Sequence, residues 1–537
     1  MSSTLSWVIV LVLALYTLVL LGLSARARKK ASHGEAFLHG GRTFGFRHVF
    51  VLVTVMWASS IFVVEFETGF LSGISALWFG VSVIIMSIVV ARYMLKPFQR
   101  VQYLTNSRLI GNRFGVSAQR FSAMVIGLTF PIFAMSNVLA AAEFVHVLLG
   151  FPFAATLVVT TAIMVLYVAQ SGMWSLAYTQ AVNLVVLTIG IAAAVVAFWH
   201  MPSVAIHPVS TKGFHSLLGV GLGTIVVWVM MNLLNSVSAQ AEMQAIASVQ
   251  KPRRGQAAVY VSACVLIAFT IVPVWLGMKT REMFPNAAQA LAAFPMALER
   301  TASPLELALV ALGVWAAALS WCAPLLFSGA SSLGADIFAK MQYKGKPLDI
   351  RTLTRYGLIL QGILVVIVAL VRPDELAWWR VFGQTIRSAA IFAPTVSYFL
   401  WPLATKKGVL WSMIGGVVTS ILWNAATGFS ATVFLFAINP MWVGLSVSMI
   451  VLLAVSLSEV GLSLVRQGFF GRLAGSAWVL TLLSIIAMSI TWTSLPPLRG
   501  ALFCTAIVFL FLGVLAATTK PKYTGRVMGV ESSVNLA

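Results

Sequence analysis

Residues 48–72 read HVFVLVTVMWASSIFVVEFETGFLS. A helix rises about 1.5 Å per residue, so this run spans the roughly 30 Å hydrocarbon core of a bilayer. It has no polar stripe, as a helix on the surface of a soluble core would have. Yet Ser59–Gly69, SSIFVVEFETG, carries Glu65 and Glu67. A charged side chain at the bilayer centre costs about 2.5–3.5 kcal/mol or more, so the two carboxylates mark a working part of the chain.

Runs of similar length recur from Leu5 to Thr518, about fifteen in all, separated by short polar or basic loops. The 537 residues are 60% hydrophobic and 9% charged, with a mean hydropathy of +0.96. Soluble domains carry about 25% charged residues. The fold class is therefore all-α and polytopic. The runs are continuously apolar rather than alternating, which excludes a β-barrel. The formal net charge is +21, but 27 of the 35 cationic residues sit in loops 25–47, 92–120, 251–254, 340–355, 404–407, 466–472 and 520–526. These loops share one side if the first helix starts outside, as the positive-inside rule expects. That pattern excludes a nucleic-acid partner. It places the N-terminus outside and the C-terminus in the cytoplasm of a bacterial-type inner membrane. The first run ends in Arg26-Ala27-Arg28-Lys29-Lys30 with no A-x-A-like cleavage site, so it reads as a retained helix. Cys264, Cys322 and Cys504 have no metal-ligand spacing and read as small core residues.

Other acids in or beside spans are Glu143, Glu242 and Glu459; the bases are Arg380 and Arg387. Glu242 and Glu459 fall near cytoplasmic helix ends, within snorkelling reach. On a continuous helix residues i and i+2 point about 200° apart, whereas in extended backbone they share a side. Glu65-Phe66-Glu67 therefore reads as a locally unwound segment lining a cavity. Unwound backbone at membrane depth survives only where protein or trapped water shields it.

Several motifs, taken in order, resemble the solute:sodium symporter family. Gly40-Gly41-Arg42-Thr43-Phe44-Gly45 resembles the GGR-x-x-G entry to its first core helix. Tyr103 to Gly115 resembles its Y-T-x-x-x-x-L-G-x-R-F-G loop. Gly172-Met173-Trp174 through Asn183 resembles the start of core helix 5, and Gln244 to Gly255 the exit of helix 6. Ala316 to Ser320, with Ala335-Asp336-Ile337-Phe338, resembles helix 8. Phe392-Ala393-Pro394 to Gly408 resembles the end of helix 10. The resemblance implies a LeuT-like fold of ten core helices in two inverted five-helix repeats, about residues 48–198 and 217–402. One extra helix precedes them and four follow. The corresponding organisation is 1–30 for the first helix and basic loop, 31–408 for the core, 409–518 for the added helices and 519–537 for the tail.

The resemblance also implies a secondary transporter that imports a small polar organic solute, cationic or zwitterionic, coupled to H+ or Na+. No further cofactor is expected. The family's main sodium site takes carbonyls of core helix 1 and a carbonyl and two hydroxyls of helix 8. Those positions are Ala58 and Ile61, then Ala317 and Ser320, but Trp321 stands where the second hydroxyl belongs and Gln180 where helix 5 carries an acid. The sodium site is thus degenerate. Glu65 and Glu67 bind a cationic or zwitterionic solute, one of them carries the coupling proton, or they pair with Arg387 or Arg380. Ser60, Phe62, Asn232, Asn235, Trp321 and Arg387 complete the expected substrate and coupling set. Asn232 and Asn235 share a helix face and hydrogen-bond either the substrate or a neighbouring helix. Trp57, Phe62, Phe66, Trp228 and Trp321 form an aromatic wall around a cation or pack as core.

Glu143 and His146 share a helix face at i,i+3; they read as a solvated helix end, with a proton relay or a metal pair as the alternative. His200, His207 and His215 match no closed metal site. Gly219-Val220-Gly221-Leu222-Gly223 lacks a preceding strand and reads as packing, and no GxxxxGK[ST] motif or nucleophile elbow occurs. The chain is not an enzyme by these signs. A solute-binding membrane sensor and a channel are the competing readings; protein partners are undefined.

Overall fold

The computed structural model describes residues 3–31, 33–101, 105–200, 209, 212–340, 342–343, 346–371, 376–430, 433–461 and 471–518. The helices are α1 (Ser3–Ala27), α2 (Phe46–Ser72), α3 (Leu77–Val89), α4 (Val116–Leu149), α5 (Phe153–Ser171), α6 (Met173–Trp199), α7 (Leu222–Ser238), α8 (Gln240–Ala247), α9 (Pro252–Met283), α10 (Ala290–Thr301), α11 (Pro304–Ser332), α12 (Ile350–Val371), α13 (Leu376–Leu400), α14 (Lys406–Ala425), α15 (Pro440–Val460), α16 (Arg472–Thr491) and α17 (Arg499–Thr518). Twelve described stretches are long and apolar enough to cross a membrane. One of them, Phe46–Val101, has 56 residues, far beyond a single crossing. It divides at Gly73, whose φ of 72° and ψ of −145° no side chain favours. With that division, the bent pair α7–α8 and the 25-residue α13, the spans number about fifteen, as the sequence leads one to expect.

Two compact units divide the chain: residues 1–105 with 126–384, and residues 106–125 with 385–537. In the first, α2 packs along α9 and α3 packs along α7. The first helix of each five-helix set thus lies on the second helix of the other, and α5 packs on α12. That reciprocity is what an inverted repeat produces. The seams are glycine-made. A Cβ on Gly277 of α9 would stand 2.3 Å from the Phe66 carbonyl oxygen of α2, and one on Gly190 of α6 2.5 Å from Gly313 Cα of α11. Without a hydrophobic drive between helices in lipid, such close backbone approach is the main source of association.

Prolines inside helices free carbonyls, and in the first unit side-chain amides reach two of these. Pro131 removes the N–H that would bond Gly127, and Gln361 Nε2 donates to the Gly127 carbonyl. Pro324 frees Ser320 in the same way, and Gln180 Nε2 donates to it at 2.8 Å. In the second unit, Arg113 donates to the carbonyls of Ser397, Tyr398 and Trp401 at 2.6, 3.0 and 2.5 Å, closing the end of α13. Trp401 Nε1 bonds Thr518 Oγ1 at 2.8 Å, which ties α17 to the same place.

The helix break lies elsewhere than the sequence suggests. α2 is helical without interruption through Glu65, Phe66 and Glu67. The break is between α7 and α8, where Ala239 at φ −76°, ψ 70° turns the chain by 49°. Glu65 needs no open backbone: its Oε1 accepts the Gly80 N–H, in the first turn of α3, at 2.7 Å. A carboxylate there completes a helix N-terminus and meets its dipole. Gly80 admits it, because a Cβ would lie 2.5 Å from Glu65 Oε1 and 2.2 Å from Thr270 Oγ1. Gly80→Ala should therefore cost about 1–3 kcal/mol, the usual price of overpacking. A melting temperature in detergent equal to that of the wild type would refute this cap.

Candidate functional site

The two glutamates of α2 point to different places. Glu65 is fully buried between α3 and α9. Glu67 is half-buried and lines a cavity of about 370 Å³ with Leu71, Leu139, Glu143, His146, Phe153 and residues 288–291. The walls come from the ends of α2 and α4, the start of α5 and the segment entering α10. The Glu143–His146 pair expected from its spacing does share this cavity. His146 Nδ1 lies 2.6 Å from the Phe151 carbonyl and so donates there, which leaves Nε2 as the acceptor nitrogen in the neutral ring. Among the described residues no group of three His, Cys, Asp or Glu is arranged to hold a metal ion. The cavity is a polar mouth with two carboxylates, suited to a positively charged solute.

The expected aromatic wall resolves into three clusters. Trp57 and Trp321 lie 5.5 Å apart by ring centroid, with Phe133 5.0 Å from Trp321. Phe62 and Phe66 gather around Phe294 of α10 at 6.5 and 4.5 Å. Trp228 meets Phe79 at 5.9 Å. Asn232 Nδ2 donates to Ser82 Oγ at 2.7 Å, and Asn235 Nδ2 lies 3.9 Å from Met86 Sδ, so this pair binds α7 to α3. Ser60 is fully buried. Arg387 is fully buried in the second unit. The Arg380 side chain and His207 lie outside the described residues.

At the helix 1–helix 8 position, Ala58, Ile61, Ala317 and Ser320 are all buried. Ser59 carbonyl accepts from Asn137 Nδ2 at 3.0 Å, and Ser320 Oγ donates back to Ala316. Trp321 Nε1 donates to the Phe133 carbonyl at 3.2 Å. The freed Ser320 carbonyl faces an amide donor, not a carboxylate. Donor logic fixes the chain: a carbonyl only accepts, so Gln180 presents its NH2; its Oε1 then accepts from Asn183 Nδ2 at 3.0 Å, and Asn183 Oδ1 from Tyr16 hydroxyl at 2.5 Å.

One residue takes a place the sequence does not suggest. Glu242 is fully buried in the first turn of α8, three residues past the break, rather than snorkelling at a helix end. Its carboxylate faces Trp57 Nε1, and neither has a hydrogen-bond partner. A single acid in the otherwise uncharged run 217–247 is the signal that could have found it.

Comparison with known proteins gives one family. The model of the sodium:solute symporter family matches residues 37–416. The High-affinity choline transporter 1 of Drosophila melanogaster is 22% identical over 316 residues, 55% of this chain and 50% of that protein. The chain thus spans about half the length of this curated relative. Among solved structures, a Na+-coupled sialic acid symporter in its substrate-bound outward-open state superposes with a TM-score of 0.67. It is 14% identical, over 84% of this chain and 97% of that one. The likeness shows the fold, which is LeuT-like.

Proposed function

Because the chain belongs to the sodium:solute symporter family, we propose that it imports a small organic cation or zwitterion by alternating access. It is a membrane transporter and not an enzyme. The observation that carries the solute class is the shared cavity of Glu67 and Glu143. Two carboxylates on one polar mouth raise the local concentration of a positive solute and repel an anion. Choline, named in the curated relative, is the simplest member of that class. We place the basic loops on the cytoplasmic side of a bacterial-type inner membrane, with the N-terminus outside; the positive-inside rule supports this orientation.

Counterflow in proteoliposomes tests this reading, with choline, glycine betaine, a neutral polyol and sialic acid as probes. Exchange of the cationic or zwitterionic probes is expected, with little of the others. The double variant Glu67→Gln/Glu143→Gln should raise KM for a cation about fivefold, from about 1 kcal/mol of attraction lost, with a much smaller effect on kcat. Equal exchange of sialic acid and choline would sink the assignment.

A second reading has its own support. Gln180 donates to the Ser320 carbonyl and Trp321 to the Phe133 carbonyl, so at the helix 8 residues where the resemblance expects sodium both side chains are engaged as donors. A transporter fold without ion coupling would act as a solute sensor. Binding of a probe by thermal shift, with no counterflow, would favour it.

A further inference from the structure

The structure assigns Glu242 to a site for a monovalent coupling cation, a proton or sodium, at the break between α7 and α8. This rests on the transporter reading, and the site is separate from the helix 1–helix 8 position. Glu242 is fully buried, and both its oxygens lack a hydrogen-bond partner. An isolated carboxylate in such surroundings is among the costliest arrangements a membrane protein can keep. The surroundings nevertheless favour the anion. Glu242 sits in the first turn of α8, where the helix dipole is positive. The Trp57 indole N–H faces it, itself without a hydrogen-bond partner.

Other unpartnered oxygens lie on the helices that pack against α8. Thr54 precedes Trp57 by three residues, so both share one face of α2, and its Oγ1 has no hydrogen-bond partner. Ser328 of α11 also keeps a buried Oγ without one, while its carbonyl accepts from Gln240 Nε2 at 2.9 Å. Carboxylate and hydroxyl oxygens suit a hard cation. The position also fits a coupling role: a broken helix presents open backbone and a half-helix terminus at membrane depth. Binding a positive charge at Glu242 would alter the balance between α8 and α2, helices from the two different repeats.

The charged groups around α8 leave Glu242 alone. On α2 they are Arg47 and His48 near its start, Glu65, whose Oε1 accepts the Gly80 N–H, and Glu67, which lines the cavity with Glu143; on α11 there is Glu306, in its first turn. Glu35 and His39 lie in the short helix Gly34–His39, and Lys96 and Arg100 in Leu95–Val101. Past the end of α11, Asp336 accepts from Thr105 Oγ1 at 2.8 Å. Glu242 forms no ion pair with any of them, and α8 carries no other charge.

The test uses the purified full chain in nanodiscs without solute, so it reads Glu242 whether or not any probe is transported. Melting temperature is followed in one arm as sodium replaces potassium at constant ionic strength. In the other it is followed from pH 5.5 to 8.5 without sodium. The wild type should respond by several degrees in one arm, which names the cation, and Glu242→Gln should lose that response. Concentrative uptake by Glu242→Gln should fall at least tenfold. If that variant yields no folded protein, Glu242→Asp serves, with the midpoint of the response displaced. A wild type indifferent to both cations, or a variant with an unchanged response, overturns the proposal.

Discussion

Gly277→Ala should leave little folded transporter. The added methyl would stand 2.3 Å from the Phe66 carbonyl oxygen and 2.8 Å from Phe70 N. Both are backbone atoms, so no rotamer change relieves the contact, and α2 and α9 must move apart. The opposite side is equally tight: a Cβ on Gly69 would lie 2.8 Å from the Val274 carbonyl. Separation by even 1 Å forfeits dispersion contacts along the whole seam. It would also pull Glu65 from Gly80 and displace Glu67 from its cavity. The expected loss is about 3 kcal/mol or more, at the upper end of overpacking costs. Gly22→Ala is the control, because a Cβ there meets nothing within 4 Å. Size-exclusion profiles in mild detergent compare the two. A sharp monodisperse peak for Gly277→Ala with a near-native melting temperature would show that the seam yields.

The spans were legible because their rule is one-dimensional: an apolar run is either long enough or not. The repeat order was legible through motifs that lie at helix ends. The Glu65-Phe66-Glu67 segment stays helical because its two acids serve separate places, Glu65 at Gly80 and Glu67 in the cavity, so they need not share a side. What relieves Glu65 is a backbone N–H fifteen residues later, reached only after the chain reverses at Gly73. The actual break follows Asn235-Ser236-Val237-Ser238, with no glycine or proline to announce it. Helix-breaking residues mark where a helix can stop, whereas here packing on both sides holds the turn at Ala239. Half of the Gln180–Ser320 contact was in the sequence: Pro324 fixes which carbonyl is freed, four residues back. Which donor reaches it depends on how α6 lies along α11.

Gln180→Glu should convert this polar chain into a sodium-dependent one. In the wild type, the Gln180 NH2 satisfies the Ser320 carbonyl, while its Oε1 holds Asn183. The substitution keeps the shape and replaces the donor with a second acceptor. Carboxylate oxygen then faces carbonyl oxygen in a dry seam, and the lost bond leaves both groups unsatisfied. Each buried orphan costs about 1–3 kcal/mol, more when charged, so a loss of several kcal/mol is expected in potassium buffer. A sodium ion between the two oxygens would restore the bridge, with ligands that suit a hard cation. At sodium a hundred times its dissociation constant the recovery would be about 2.7 kcal/mol. Melting temperature of Gln180→Glu should thus climb with sodium, over a range where the Glu242→Gln variant does not respond. Gln180→Leu separates charge from packing: it orphans the Ser320 carbonyl and the Asn183 amide, and sodium should not rescue it. If Gln180→Glu melts as the wild type does in potassium, the amide is not standing in for a cation, and the position has no bearing on coupling.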